Sequence, residues 1–345
     1  MAKRIVFCAD GTWQLPVSGT NVYKLYKALP ISAQQVAFYD DGVGADEQGL
    51  ERLVTGAFGG GLFQKIKDAY TKIAHVYEKG DELFLFGFSR GSYIARSLAG
   101  MIANCGLPTG SFTDDCVDQA FEAYRNTANR ATLLQGLGAC GLSDCCVRMI
   151  GVWDTVGALG IPAIFGGIDE AQFGFLDTGL HPDVKNAFHC LGIDERRPEF
   201  PATLWTSEPN PDQTLEQVWF SGCHGDIGGG TVARGGVDDA TMLSDITLSW
   251  MISKALALGL EIDAGFVQRY TNLPAKYSLD AIHESWLPLF GPPKVRPIPD
   301  GAQVSNSVTV RMQYGLTYLP SNLSLTDGAL GAGYTVVDVV DETAI

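Results

Sequence analysis

The 345-residue chain carries 39 acidic against 24 basic residues, a formal net charge of −15, with 46% hydrophobic and 18% charged residues. That balance supplies ample material for a packed core and excludes a disordered chain. Lysine and arginine are nowhere clustered, so nucleic acid is excluded as a ligand, because phosphate neutralisation drives that binding.

The N-terminal Met1-Ala2-Lys3-Arg4 runs directly into a β-forming stretch whose apolar run is too short for a signal-peptide core. No later segment reaches the roughly eighteen uninterrupted apolar residues of a membrane span. The expectation is a cytoplasmic protein without an integral membrane segment.

In chain order, Arg4 to Ala9 predicts a strand ending at Asp10-Gly11-Thr12, and Thr20 or Asn21 caps a helix running to Leu29. Gln35 to Tyr39 predicts a second strand, opening into a glycine-rich loop from Gly42 to Gly61, with a helix over Leu62 to Glu78. Glu82 to Phe86 is a compact strand that runs into Gly87-Phe88-Ser89-Arg90-Gly91 and then a helix to about Ala103. Val147 to Trp153 ends at Asp154-Thr155, and Gln217 to Phe220 ends at Ser221-Gly222-Cys223-His224. Between these two strands, Gly157 to Leu180 has the poor periodicity of a lid-like insertion, and Asn186 to Leu191 is expected to be helical. Met242 to Leu258 predicts an amphipathic helix. From about residue 291 the chain should form short strands and loops packed on a core spanning about 1–290, with all of 1–345 in one domain.

Strands alternating with helices imply an α/β fold with a mostly parallel central sheet flanked by helices. Ligands of such sheets bind beyond the carboxyl ends of the strands, and Asp10, Ser89, Asp154 and His224 all fall on ends of that kind. The eight cysteines lack paired metal-ligand spacing, and Cys8, Cys105, Cys140, Cys190 and Cys223 read as small buried hydrophobes.

The pentapeptide Gly87-Phe88-Ser89-Arg90-Gly91 matches G-x-S-x-G, the strained strand-to-helix turn that presents a serine nucleophile in an α/β-hydrolase. Chance matches are frequent; the preceding strand and following helix supply the context that an incidental serine would lack. A serine hydroxyl needs a base, and four histidines follow it: His181, His189, His224 and His283. A lone histidine is usually structural, which is the reading for His181 and His189. The glycine-rich loop around His224 favours it as base, with Asp154 as the acid; the alternative set is Ser89, Asp226 and His283. Under the preferred set Asp226 fixes the loop. The oxyanion hole would take the Arg90 amide and a second one from Gly11 or Thr12.

Phe7-Cys8-Ala9-Asp10-Gly11-Thr12-Trp13, Gly87 to Ser92, Gly151 to Gly157, Phe188 to Arg197 and Val218 to Gly230 together resemble the blocks of the type VI secretion phospholipase-effector-like α/β-hydrolase family. The resemblance implies a Ser-Asp-His triad at Ser89, Asp154 and His224, and phospholipase-type cleavage of lipid acyl esters. It also implies export by a signal-independent secretion system and an immunity-type protein partner.

The reading is therefore a serine esterase acting through an acyl-enzyme on a small-molecule or lipid ester, with no cofactor and no catalytic metal. The competing reading is a noncatalytic binding or toxin-scaffold module on the same fold, motivated by the extra small residue before Asp10. Nucleotide binding by Gly56 to Gly61 or Gly228 to Gly230 lacks the lysine and spacing it would need. A structural calcium at Asp40-Asp41 or Asp238-Asp239 is left open against the plainer reading of solvated surface.

Overall fold

The computed structural model describes residues 2–11, 18–42, 57–108, 110–137, 142–156, 179–231, 242–288, 291–315 and 317–343. Eight strands form one sheet: β1 (Arg4–Ala9), β2 (Gln35–Asp40), β3 (Glu82–Phe88), β4 (Val147–Trp153), β5 (Asn186–Gly192), β6 (Thr214–Phe220), β7 (Gln303–Ser305) and β8 (Thr335–Val337). Their spatial order is β8-β7-β6-β5-β4-β3-β1-β2, and every neighbouring pair is parallel. The chain reverses its direction of growth between β1 and β3, the kind of place where open α/β sheets leave a crevice for ligand.

The helices are α1 (Asn21–Lys27), α2 (Ala57–Ala74), α3 (Arg90–Cys105), α4 (Asp114–Arg125), α5 (Arg130–Gly136), α6 (His224–Gly228), α7 (Leu243–Ala257), α8 (Ala264–Tyr270) and α9 (Asn306–Tyr314). Covered on both faces, the central strands read as continuous apolar runs rather than alternating ones. Successive side chains nevertheless divide between two cores. Ile5, Phe7, Leu83, Leu85, Ile150 and Val152 join residues of α2, α3 and α4, whereas Val6, Cys8, Phe84, Phe86, Phe88 and Trp153 join residues of α1 and α7. The period of two along a strand produces this split.

Several elements differ from the sequence expectation. Asn186 to Leu191 is not helical but lies in β5, buried from Ala187 onward and hydrogen-bonded between β4 and β6. A strand buried on both faces has no polar alternation to reveal it, and Ala, Leu and Cys do not mark it as β. The helix α2 begins at Ala57 rather than Leu62 and ends at Ala74, so Gly59, Gly60 and Gly61 belong to a helix instead of a loop. The C-terminal region does supply short strands, but β7 and β8 extend the main sheet, and α9 stands where loops were expected. The Val and Thr content of α9 hides its helical nature, which the Ser305 side chain caps by accepting the Ser307 N–H. The lid-like stretch 157–178 and Cys140 lie outside the described residues, while Cys8, Cys105, Cys190 and Cys223 are free and buried.

One glycine sets the geometry below the strand tips. A Cβ on Gly91, in the first turn of α3, would collide with the backbone carbonyls of Ala9 and Asp10 at the end of β1. Only a residue without a side chain lets α3 start this close to the sheet. Gly91→Ala should therefore cost about 3 kcal/mol or more, the upper end of overpacking penalties. Urea unfolding checks this; an unchanged midpoint would show that the contact relaxes freely.

Candidate active site

Ser89 is the turn between β3 and α3, with φ 57° and ψ −123° and only 5% of its surface exposed. Asp154 follows β4 with φ 41°. Among the described residues five non-glycine positions have positive φ, and these are two of them. A left-handed residue at a strand tip stores strain that only the surrounding packing can hold. Here the packing is explicit. Phe88 pairs with Trp153 in the β3–β4 ladder, the Ser89 N–H donates to the Trp153 carbonyl at 3.0 Å, and the Ser92 hydroxyl donates to the carbonyls of Gly87 (2.8 Å) and Trp153 (2.9 Å). Ser89 and Asp154 are thus the residues that follow two paired strand ends.

His224 opens α6, directly after β6. Its Nδ1 lies 2.6 Å from Asp154 Oδ2, and its ring lies on the Phe88 ring at 4.6 Å between centroids. Phe200 meets the same imidazole edge-on at 5.1 Å. The approach depends on a second glycine: a Cβ on Gly228, at the other end of α6, would overlap the Phe88 ring. The imidazole is therefore held between the Asp154 carboxylate and the residue immediately preceding Ser89.

Asp154 is wholly buried. Its Oδ1 accepts the Gly192 N–H at 3.0 Å and Arg296 Nη1 at 2.7 Å, and its Oδ2 accepts Arg296 Nη2 at 2.9 Å beside His224. Burial pushes this carboxyl up, but the Arg296 charge and the His224 hydrogen bond override it and hold Asp154 well below the usual carboxylate range. Burial holds the His224 imidazole below its ordinary value, against the opposing pull of Asp154.

The backbone of the His224 turn is held by the segment that follows β5. Asp194 accepts the Gly222 N–H at 2.6 Å and the Tyr318 hydroxyl at 2.8 Å. Glu195, fully buried, accepts the His224 N–H at 3.2 Å and the Ser285 hydroxyl at 3.1 Å, and Arg197 grips both of its oxygens. Burial would raise Glu195; the Arg197 hydrogen bonds and charge bring it down to about 2.

Asp226 pairs with His283, not with His224. Its Oδ1 lies 2.5 Å from His283 Nδ1, and its Oδ2 accepts the N–H groups of Cys223 at 2.9 Å and His283 at 3.1 Å. Both histidine–carboxylate pairs considered from the sequence therefore exist, in different places. His283 lines a cleft of about 300 Å³ with Asp194, Arg196 and Tyr318, and neither Ser89 nor His224 borders it. His181 is a loop residue whose Nδ1 accepts the Asp183 N–H at 3.2 Å.

Arg90 is the first residue of α3, which puts its amide at the helix N-terminus beside Ser89. The Gly11 N–H instead donates to Asp10 Oδ1 at 2.9 Å, so a part for Gly11 in an oxyanion hole requires that contact to be given up. Thr12 lies outside the described residues. Asp10 itself stands apart from the Asp154–His224 pair, taking the hydroxyls of Thr20 at 2.6 Å and Tyr39 at 2.8 Å. Burial raises its carboxyl although both hydroxyls oppose the shift. Asp40 and Asp41 are bound by Lys65, which leaves that pair a poor calcium site, and Asp238 and Asp239 lie outside the described residues. No cluster of three or more metal-ligating side chains occurs among the described residues.

A family model described as the type VI secretion system phospholipase effector Tle1-like catalytic domain matches residues 3–254. The chain belongs to this Tle1-like family. An uncharacterized yeast protein, YEL023C of Saccharomyces cerevisiae, is 29% identical over 235 residues, covering 60% of this chain and 33% of its own length. The chain thus matches about a third of that relative. A crystal structure of an uncharacterized protein from Pseudomonas aeruginosa aligns with a TM-score of 0.49 at 17% identity, over 77% of this chain and 47% of that one. Arg296 and His283 both lie beyond the part of the chain that the Tle1-like model matches.

Three residues of the site carried no assigned role in the sequence reading. Glu195 and Arg197 stand in the Phe188 to Arg197 block of the resemblance, where two charges of opposite sign follow a buried strand. Arg296 had one faint signal, a single arginine within the otherwise apolar Val295-Arg296-Pro297-Ile298.

His189 is, with His224, one of two buried histidines among the described residues, and its Nε2 accepts the Thr155 N–H at 3.1 Å. Burial first, then the Arg96 charge, lowers it from 6.5 to about 3. Unfolded, this ring takes a proton below 6.5; folded, it does so only near 3. The stability it contributes is present above 6.5 and is lost as the pH falls through that window. His189→Gln, which keeps an acceptor for Thr155, should give a flatter decline of unfolding free energy between those pH values. Denaturant titrations across the range measure it, and equal slopes in the two proteins would contradict it.

Proposed function

We propose that the chain is a carboxylic-ester hydrolase in which Ser89 is the nucleophile, His224 the general base and Asp154 the acid that orients it. The observation that carries this reading is the imidazole held at 2.6 Å from Asp154 with its ring centroid 4.6 Å from that of Phe88, the residue before Ser89. In the proposed cycle, His224 Nε2 takes the Ser89 hydroxyl proton as Oγ attacks the ester carbonyl. As the ester C–O bond breaks, the same proton passes to the departing alkoxide, which leaves as an alcohol while the acyl group stays on Ser89. Water, deprotonated by His224, attacks the acyl carbon, and the returning proton restores Ser89. The Arg90 amide and a second one from Gly11 or Thr12 would hold the oxyanion. Asp154 stays ionised throughout and fixes Nδ1–H, leaving Nε2 as the basic nitrogen.

Lipid acyl esters are the substrates this reading favours, in keeping with the phospholipase description of the Tle1-like family. Phe200, whose ring meets His224, also lines a largely apolar cleft of about 350 Å³ with Ala202, Leu204, Trp219, Pro297 and Ile298, which neither Ser89 nor His224 borders. Export by a type VI secretion system and an immunity-type partner belong to the same proposal at the level of the family.

Turnover of p-nitrophenyl butyrate and fatty-acid release from phosphatidylcholine vesicles test the assignment. Ser89→Ala should abolish both activities, and His224→Ala should cost ~10²–10⁴-fold, the range of general-base catalysis. His283→Ala should cost far less than His224→Ala. A fully active Ser89→Ala protein would overturn the hydrolase reading and leave the noncatalytic module, and a larger loss in His283→Ala would transfer the base to the other pair.

A further inference from the structure

Arg296 makes five donor contacts, three with buried acceptors and two with the carbonyl of the partly buried Phe200. Nη1 and Nη2 take the two oxygens of Asp154, Nη1 also reaches the Gly192 carbonyl at 3.0 Å, and Nε and Nη2 converge on the Phe200 carbonyl at 3.0 and 2.7 Å. A residue that only stapled the 192–200 loop would need the two carbonyls and nothing more. Arg296 instead grips the carboxylate from both sides, including Oδ2, the oxygen that His224 uses. A guanidinium does not lose its proton in a protein, so this cation is permanent.

We propose that Arg296 is a positioning residue of the site, acting through Asp154: it fixes the plane of the carboxylate and shares its charge, and so sets the basicity of His224. The proposal rests on the reading of Ser89 and His224 given above, and it concerns a residue that lies beyond the family match of residues 3–254.

The charge balance around the imidazole supports it. Asp154 at the tip of β4 is matched by Arg296. Glu195, beneath the His224 amide, is matched by Arg197. Asp226, on the same helix as His224, is turned to His283, and Arg90 at the start of α3 lies in the field of Arg197. Phe88 and Phe200 supply neutral walls. With each nearby carboxylate already partnered, the pocket is close to neutral when His224 is neutral. An imidazolium would then gain less from Asp154 than it would from a carboxylate lacking a cationic partner. His224 lies below its ordinary value because it is buried, with Asp154 opposing, and an Arg296 that weakens this opposition leaves the effect of burial standing. Under this arrangement the base keeps its free lone pair in mildly acidic solution.

The sign follows directly. Removing the Arg296 charge while keeping a hydrogen-bond donor lets Asp154 act on His224 with its full charge, which raises the imidazole pKa. The acid limb of kcat/KM for p-nitrophenyl butyrate should therefore move up by about one pH unit in Arg296→Gln, a shift typical of one nearby charge. It should return most of the way in Arg296→Lys. A purely structural role would lower activity at every pH and leave the limb in place in both variants, and that result would overturn the proposal.

Because Arg296→Gln loses a buried partner and can fail to fold, a second measurement uses neither that variant nor turnover. In Ser89→Ala protein labelled with ¹⁵N-histidine, adding Arg296→Lys, which keeps the charge but loses the two-pronged grip, should raise the His224 titration by a fraction of a pH unit. A titration unmoved by that substitution would overturn the proposal. If ester turnover proves independent of Ser89, the hydrolase reading fails, whereas this titration still reports how the Arg296–Asp154 pair acts on His224.

Discussion

A carboxylate buried without water must be matched by charge and hydrogen bonds or it will not stay ionised, and Asp154 imposes that requirement on the whole carboxyl edge of the sheet. Its four contacts draw together elements far apart in the chain. One comes from the amide that ends β5, one from the histidine that opens α6, and two from a guanidinium 142 residues further on. Breaking such a pair by removing one partner leaves an uncompensated charge, typically at a cost of about 3–5 kcal/mol. The strand tips pay part of this in strained backbone, with Asp154 at φ 41° and Ser89 at φ 57°. Those conformations persist because Trp153 is tied from two directions, by the Ser89 amide and the Ser92 hydroxyl.

Around that centre lies a second ring of buried and partly buried acids with a supporting task. Asp194 fixes Gly222, Glu195 fixes the His224 amide, and Asp226 fixes Cys223 and His283. Each takes a backbone N–H from the loop between β6 and α6 or from the start of α6. A five-residue helix has little stability of its own, so the direction of the imidazole is set by these contacts rather than by α6. The His283–Asp226 pair, which from sequence could have been the base and acid themselves, is better understood as part of this support.

Much of the proposed site was legible because its residues sit on strand ends, and strand ends are marked by turn residues. Gly87 to Gly91, Asp154-Thr155 and the glycine-rich run after Cys223 all stand at such places, and the alternation of apolar strands with helices indicated the parallel sheet. What escaped notice shares a physical cause. β5 is buried on both faces and carries no polar alternation, so Asn186 to Leu191 looked helical and His189 was placed on the wrong element. Arg296 reaches Asp154 from a proline-rich stretch without periodicity, and no spacing rule connects an arginine to an acid so distant in sequence. The glycine-rich loop favoured His224 over His283, and both histidine–carboxylate pairs exist in the structure. The contact of Phe88 with His224 is what supports the proposed choice between them.

The most direct test of the central claim is covalent labelling with a fluorophosphonate, read by peptide mapping at pH 7. The Asp154–His224 pair predicts a single adduct at Ser89, formed at near wild-type rate in His283→Ala and lost in His224→Ala. An adduct on any other residue, or labelling of Ser89 that survives loss of His224 but not of His283, would contradict it.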